Sequence, residues 1–151
     1  MCGLAGIAAL SDVNRAAVQA MTDLMVHRGP DGEGLWLSAD ERICFGHRRL
    51  SIIDLTGRAA QPMQDTTGTY TLTYNGEIYN FKEVRAELAA LGAQFRSDSD
   101  TEVILEAYRT WGDDCLSRFN GMFAFVLHDA KRNRILCARD RFGEKPFLFL
   151  S

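Results

Sequence analysis

Met1-Cys2-Gly3-Leu4-Ala5-Gly6-Ile7-Ala8-Ala9-Leu10 sets a thiol one residue from the start of the chain and follows it at once with a short apolar run. Such a run reads as a buried strand, so the terminus is anchored from its first residues. A small second residue allows removal of Met1, which leaves a thiol and a free α-amine on one amino acid. The amine can then act as base for the sulfur, the logic of nucleophiles that head their own chain. An amine and a thiol have reference acidities close enough that moving a proton between them costs on the order of 1 kcal/mol. On those two letters alone, a thiol packed as a small hydrophobe is the more common outcome.

Outward from this strand, Ser11 or Asp12 is expected to cap a helix with Val13, Ala17, Met21, Leu24 and Met25 as its core stripe. His27-Arg28-Gly29-Pro30-Asp31-Gly32-Glu33-Gly34 concentrates helix breakers and reads as a loop. Leu35–Leu37 and Ile43–His47 predict a hairpin, and Tyr70–Tyr74 a further strand. Phe81–Leu91 carries one apolar helical face and ends at Gly92, which suits a left-handed stop. A second helix is expected over Thr101–Trp111, started by Ser99 or Asp100. Met122–His128 and Arg134–Ala138 flank a polar turn, the signature of another hairpin. Pro146–Leu150 reads as a last strand that stops without a turn, as though the polypeptide continued.

Composition narrows the function. A chain of 151 residues, 46% hydrophobic and 25% charged, fits one domain, residues 1–151, without a linker or repeat. A net charge of -3 with no dense basic stripe argues against nucleic-acid binding. No apolar run approaches a membrane span, no leader precedes Cys2, and a cytoplasmic location is expected. Cysteines at 2, 44, 115 and 137 lack metal-ligand spacing, so free thiols and no metal are expected. Gly29, Gly32 and Gly34 do not match a phosphate-binding pattern. The basic residues from Lys131 to Arg141 are interleaved with Asp129, Asp140 and Glu144 and read as a solvated face.

Three further motifs carry chemistry. Tyr74-Asn75-Gly76-Glu77-Ile78-Tyr79-Asn80 sets an amide side chain beside a glycine N–H, so two donors could converge on one oxygen. Locally, an Asn-Gly hairpin turn is the commoner outcome. Phe45-Gly46-His47-Arg48-Arg49-Leu50-Ser51-Ile52-Ile53 ends a strand in adjacent arginines, whose guanidinium suits bidentate capture of a carboxylate. Two surface arginines are the plainer alternative. Ser99-Asp100-Thr101-Glu102 opens a helix, where Asp100 either caps it or meets a substrate ammonium.

Taken in order with Gln61-Pro62-Met63, Gly121-Met122-Phe123-Ala124-Phe125 and Arg139-Asp140-Arg141-Phe142-Gly143, these motifs resemble the class II glutamine amidotransferases. Within that family the HRGPD and YNGEIYN forms are similar to the glutaminase domain of glutamine-hydrolysing asparagine synthetases. The resemblance implies an α+β fold, the N-terminal-nucleophile four-layer αββα sandwich, truncated at its C-terminal end. It implies that Cys2, freed of Met1, attacks the side-chain amide of glutamine to form a thioester and release ammonia. It assigns Asn75 and Gly76 to the oxyanion hole, Arg49 to the substrate carboxylate, and Glu77 with Asp100 to the substrate ammonium. Groups of Leu50, Ser51, Ile52 and Ile53 border the same pocket, and the HRGPD loop shapes it.

The family's ATP-dependent synthetase domain, with its Ser-Gly-Gly motif, is absent from these residues. ATP and Mg are therefore implied only for that missing domain, with no cofactor in this chain. The implied partners are glutamine, a synthetase domain or subunit that supplies the ammonia acceptor, and a second copy in a homodimer. Two other readings stand beside this one: a truncated or degenerate fold acting as a binding or regulatory module, and an amidotransferase with another acceptor. Ala59-Ala60 and Asp98 depart from the family pattern in loops.

Overall fold

The computed structural model describes residues 1–52 and 57–150. Two antiparallel sheets lie face to face. The first has the order β1-β3-β2, from Gly3–Ala8 (β1), Gly32–Leu37 (β2) and Ile43–Arg49 (β3). The second has the order β4-β5-β6-β7, from Met63–Gln64 (β4), Tyr70–Ile78 (β5), Gly121–Asp129 (β6) and Arg134–Arg139 (β7). Helix α1, Arg15–Leu24, covers the outer face of the first sheet. Helices α2, Phe81–Ala90, and α3, Asp100–Trp111, cover the outer face of the second. The layers run helix, sheet, sheet, helices: the expected αββα sandwich.

Alternation along the strands builds these layers. On β6, Phe123, Phe125 and Leu127 join Leu72, Tyr74 and Ile78 of β5 in the main core beneath Val84, Leu88, Val103, Ile104 and Ala107 of the helices. The opposite faces of β5 and β6 carry Thr71, Thr73, Asn75 and His128, all buried. The space between the sheets is thus unusually polar. There Trp36 of β2 packs its ring on His128, with centroids 5.4 Å apart.

Four expectations need correction. Gly32–Gly34, expected within a loop, open strand β2, because β3 pairs with them from Gly32↔Arg49 to Gly34↔His47. Helix α1 is capped by Asn14, whose side chain accepts the Ala17 N–H at 3.1 Å, and not by Ser11 or Asp12. The reason lies in the backbone: the N–H groups of Ala9 and Val13 donate to the carbonyls of Arg42 and Glu41, holding the chain extended up to that point. The delayed start turns Val18 and Thr22 inward and leaves Met21 and Leu24 exposed. Asn75-Gly76 forms no turn, because β5 runs straight through it to Ile78, paired with β6 throughout. Finally, Pro146–Leu150 forms no strand, and Leu148, Phe149 and Leu150 stand in solvent. An apolar run becomes a strand when a neighbouring edge takes up its hydrogen bonds, and among the described residues none does so here.

Candidate active site

Cys2 sits at the head of β1, opposite the C-terminal end of β3. Its sulfur accepts the Leu50 N–H at 3.3 Å and lies 3.7 Å from the Leu50 carbonyl. Arg28, from the loop after α1, donates its Nε–H to the Cys2 carbonyl at 3.2 Å. The same loop packs flat on the end of β3 at Gly29, where any Cβ would collide with the Arg48–Arg49 backbone. Asp31 then accepts the Ser51 N–H at 2.8 Å. The HRGPD loop therefore clamps the strand headed by Cys2 to the strand that ends in Arg49.

All four cysteines are free thiols. Burial pushes the Cys44 thiol up and the Cys115 thiol up to about 12, with Asp113 and Asp114 adding to the latter. At both, burial disfavours the thiolate, which is the reactive form. Cys2, half-buried and facing a cavity, is placed differently.

Across that cavity stands β5. Asn75 and Glu77 point from it towards the first sheet, as the alternation of the strand requires. Gly76 lies between them, and a Cβ there would strike the Met122 carbonyl and Phe123, so only glycine fits. Below, Ser99 caps α3 by accepting the Glu102 N–H at 3.3 Å, which makes Asp100 the first helical residue and not the cap. The buried Glu102 carboxylate accepts the N–H groups of Arg96 and Ser97 and the Ser97 hydroxyl, fixing the chain that leads into the helix. Asp100 in turn accepts the Tyr74 hydroxyl at 2.7 Å and the Ile78 N–H at 3.1 Å.

The electrostatics follow from this burial. Removal from water raises the Asp100 carboxyl above its usual range, opposed by the bonds it accepts from Tyr74, Ile78 and Thr101. Burial also drives the Tyr74 hydroxyl far upward, with the Asp100 charge adding to it, so that group stays protonated and donates. A buried carboxylate at a cavity wall, with no cation paired to it among the described residues, is suited to receive one from a ligand.

One cavity is lined by Cys2, Arg49, Leu50, Ile52, Asn75, Gly76, Glu77 and Asp100 together. Ser51 lies outside its lining with its N–H held by Asp31, and Ile53 lies outside the described residues. The sequence reading missed Gln61, Tyr74, Thr101, Met122 and Lys145, which also line it. Lys145 is buried and brings its ammonium to 2.8 Å from the Met1 sulfur. The available signals were the Gln61-Pro62-Met63 motif, which contains Gln61, and the Arg139–Gly143 motif, which Lys145 follows by two residues. Among the described residues, no group of three His, Cys, Asp or Glu is arranged to hold a metal, and no helix is long and apolar enough to cross a membrane.

Layers, strand order and a cysteine-headed cavity define an N-terminal-nucleophile sandwich. A solved structure of glutamine phosphoribosylpyrophosphate amidotransferase from B. subtilis, complexed with ADP and GMP, superposes with a TM-score of 0.74 at 19% identity, over 91% of this chain and 37% of that one. The match supports the fold. By sequence, the family described as "Glutamine amidotransferase domain" matches residues 1–151, and the chain belongs to that family. It is 44% identical to asparagine synthetase [glutamine-hydrolyzing] 3 of Bacillus subtilis, over 99% of this chain and 25% of that protein. It is 41% identical to asparagine synthetase [glutamine-hydrolyzing] 1 of the same organism, over 99% and 24%. The chain thus spans about a quarter of the length of these curated relatives and corresponds to their glutamine amidotransferase portion.

Proposed function

We propose that this chain hydrolyses glutamine to glutamate and ammonia through a thioester on Cys2, and that the ammonia feeds asparagine synthesis from aspartate on a synthetase domain or partner. The observation that carries the reading is the convergence on one cavity of a thiol, an arginine, two carboxylates and an Asn-Gly pair. Glutamine is an anion and a cation at one end and a neutral amide at the other. Arg49 matches its carboxylate, Glu77 and Asp100 match its ammonium, and Asn75 Nδ2 with the Gly76 N–H matches the oxygen on which charge develops.

The steps balance within these groups. Cys2 Sγ attacks the amide carbon while its proton passes to the Cys2 α-amine, and the carbonyl oxygen becomes the oxyanion held by Asn75 and Gly76. The amine returns the proton to the leaving nitrogen, the C–N bond breaks, and ammonia departs from the thioester. Water, deprotonated by the same amine, then attacks the thioester carbon, and the C–S bond breaks to give glutamate and free thiol. With Met1 in place the Cys2 nitrogen is an amide and cannot serve as base. Met1 also lines the cavity, so its removal both frees the amine and clears the site. ATP and magnesium are assigned, with the acceptor, to the synthetase half.

The test is to confirm loss of Met1 by intact mass, supply glutamine, and measure glutamate. Processed chain should release glutamate, and Cys2→Ala should not. No release from processed chain that binds glutamine normally would overturn the hydrolytic reading and favour a binding or regulatory module.

A further inference from the structure

Among the described residues, strand β5 loses its outer neighbour halfway along, because β4 pairs only with Thr71 and Leu72. The Tyr79 N–H to Asn120 carbonyl bond sets odd-numbered residues of β5 as those bonded to β6. Antiparallel alternation then turns the N–H and C=O groups of Tyr74, Gly76 and Ile78 towards the vacated edge. Unmade hydrogen bonds are costly when buried, and an open edge invites a foreign strand when exposed.

Three groups on this edge are answered by three separate side chains. Gln61 Oε1 accepts the Tyr74 N–H at 2.7 Å, and His47 Nε2–H donates to the Tyr74 carbonyl at 3.0 Å. Asp100 accepts the Ile78 N–H at 3.1 Å. Gly76, between them, meets no partner along the edge among the described residues. Gln61, His47 and the Asp100 carboxylate thus stand in for the missing strand at Tyr74 and at the Ile78 N–H, and leave bare the glycine that lines the cavity.

We infer that His47 and Gln61 are positioning residues: they hold the open edge of β5 at Tyr74 and so aim the Asn75 amide and the Gly76 N–H at the substrate oxygen. The inference rests on the oxyanion role proposed above. His47 is fully buried on β3, two residues before Arg49, and does not line the cavity. A carbonyl only accepts, so His47 Nε2 carries the proton, and Nδ1 is left without a partner. Gln61 borders the cavity, but its amide is committed at both ends, with Nε2 on the Thr101 hydroxyl at 3.3 Å. The clamp therefore ties the first sheet and α3 to a single residue. That residue precedes Asn75 and gives its own hydroxyl to Asp100.

The test compares shape-matched variants in processed chain, with thermal unfolding recorded beside steady-state glutaminase kinetics. His47→Leu and Gln61→Leu should each lower kcat by about tenfold or more while the KM for glutamine stays within about threefold, the pattern of an interaction used in the transition state. His47→Gln, which keeps an N–H donor, and Gln61→Glu, which keeps an acceptor, should restore most of that loss. If His47→Leu does not fold, His47→Asn, too short to reach the carbonyl, takes its place. Folded apolar variants with unchanged kcat, or conservative variants as impaired as the apolar ones, would overturn the inference. Asn75→Ala separates the two layers. If it keeps full turnover, the oxyanion assignment itself fails; if it loses turnover while the clamp variants do not, the clamp alone is wrong.

Discussion

The two halves of the sandwich are built to different standards. In the second sheet and its helices, α3 buries every residue from Asp100 to Tyr108, and the main apolar core lies entirely on this side. In the first, α1 buries only Val18 and Thr22, and polar ties do much of the fastening: Arg48 to Asp23 and Glu33, Arg28 to the Cys2 carbonyl, and His47 across to Tyr74. Asn75, Gly76 and Asp100, proposed as oxyanion donors and ammonium receptor, stand on the dense half, where close packing resists displacement. Cys2 and Arg49, the proposed nucleophile and carboxylate-binding group, stand on the thin half. On the proposed roles, the contrast teaches that preorganisation is concentrated where charge would develop, while the Cys2 sulfur is held by hydrogen bonds at the head of its strand.

The contrast can be broken at its strongest point first. Phe125→Ala, in the dense core, should cost about 3–5 kcal/mol of stability in denaturant unfolding, against about 2 kcal/mol for Val18→Ala under α1. Equal losses would erase the distinction. Asn75→Ala should lower kcat by roughly a hundredfold or more, read by glutamate release, with stability little changed. Arg49→Lys, on the thin half, should chiefly raise the KM for glutamine by about tenfold or more, since the guanidinium fork is lost at a charge-assisted contact.

Acid probes the tie between the halves. Burial pushes the His47 imidazole down to about 4, partly offset by its bond to the Tyr74 carbonyl, with the Arg49 charge lowering it further. The unfolded chain therefore binds this proton more readily than the folded one between pH 6.5 and 4. Stability should be fully present above that window and fall as pH drops through it, by about 2 kcal/mol at pH 5. Thermal unfolding of His47→Gln across the same range should lack this slope. The smallest effect is expected of Arg48→Met: its partners Asp23 and Glu33 are largely exposed, so about 1 kcal/mol or less should be lost, and less still at high salt.

Much of this was legible in the residues themselves. Strand and helix positions for β1, β3, the second half of β2, α2, α3, β6 and β7 follow from apolar period and breakers, because each element writes its burial into its own spacing. The ordered motifs named the family, and every site residue they marked that is described, except Ser51, lines one cavity. Local signals failed where a distant partner decided the outcome. Asn75-Gly76 has the letters of a turn but pairs as a strand, since β6 supplies a neighbour and leaves no room for a side chain at Gly76. Helix α1 starts at Arg15 because a turn about thirty residues further along takes up the N–H groups of Ala9 and Val13.

From its sequence alone this protein's layers, family and candidate reactive residues can be read, for these depend on residue type, order and period. Which edge of β5 is left open, and which side chains close it around Gly76, depended on packing two sheets and a helix together. His47, Gln61 and Asp100 are 14 or more positions apart in sequence and meet only there. Hydrogen bonds between such distant residues have no local signature, because what selects them is the unmade bond each one satisfies.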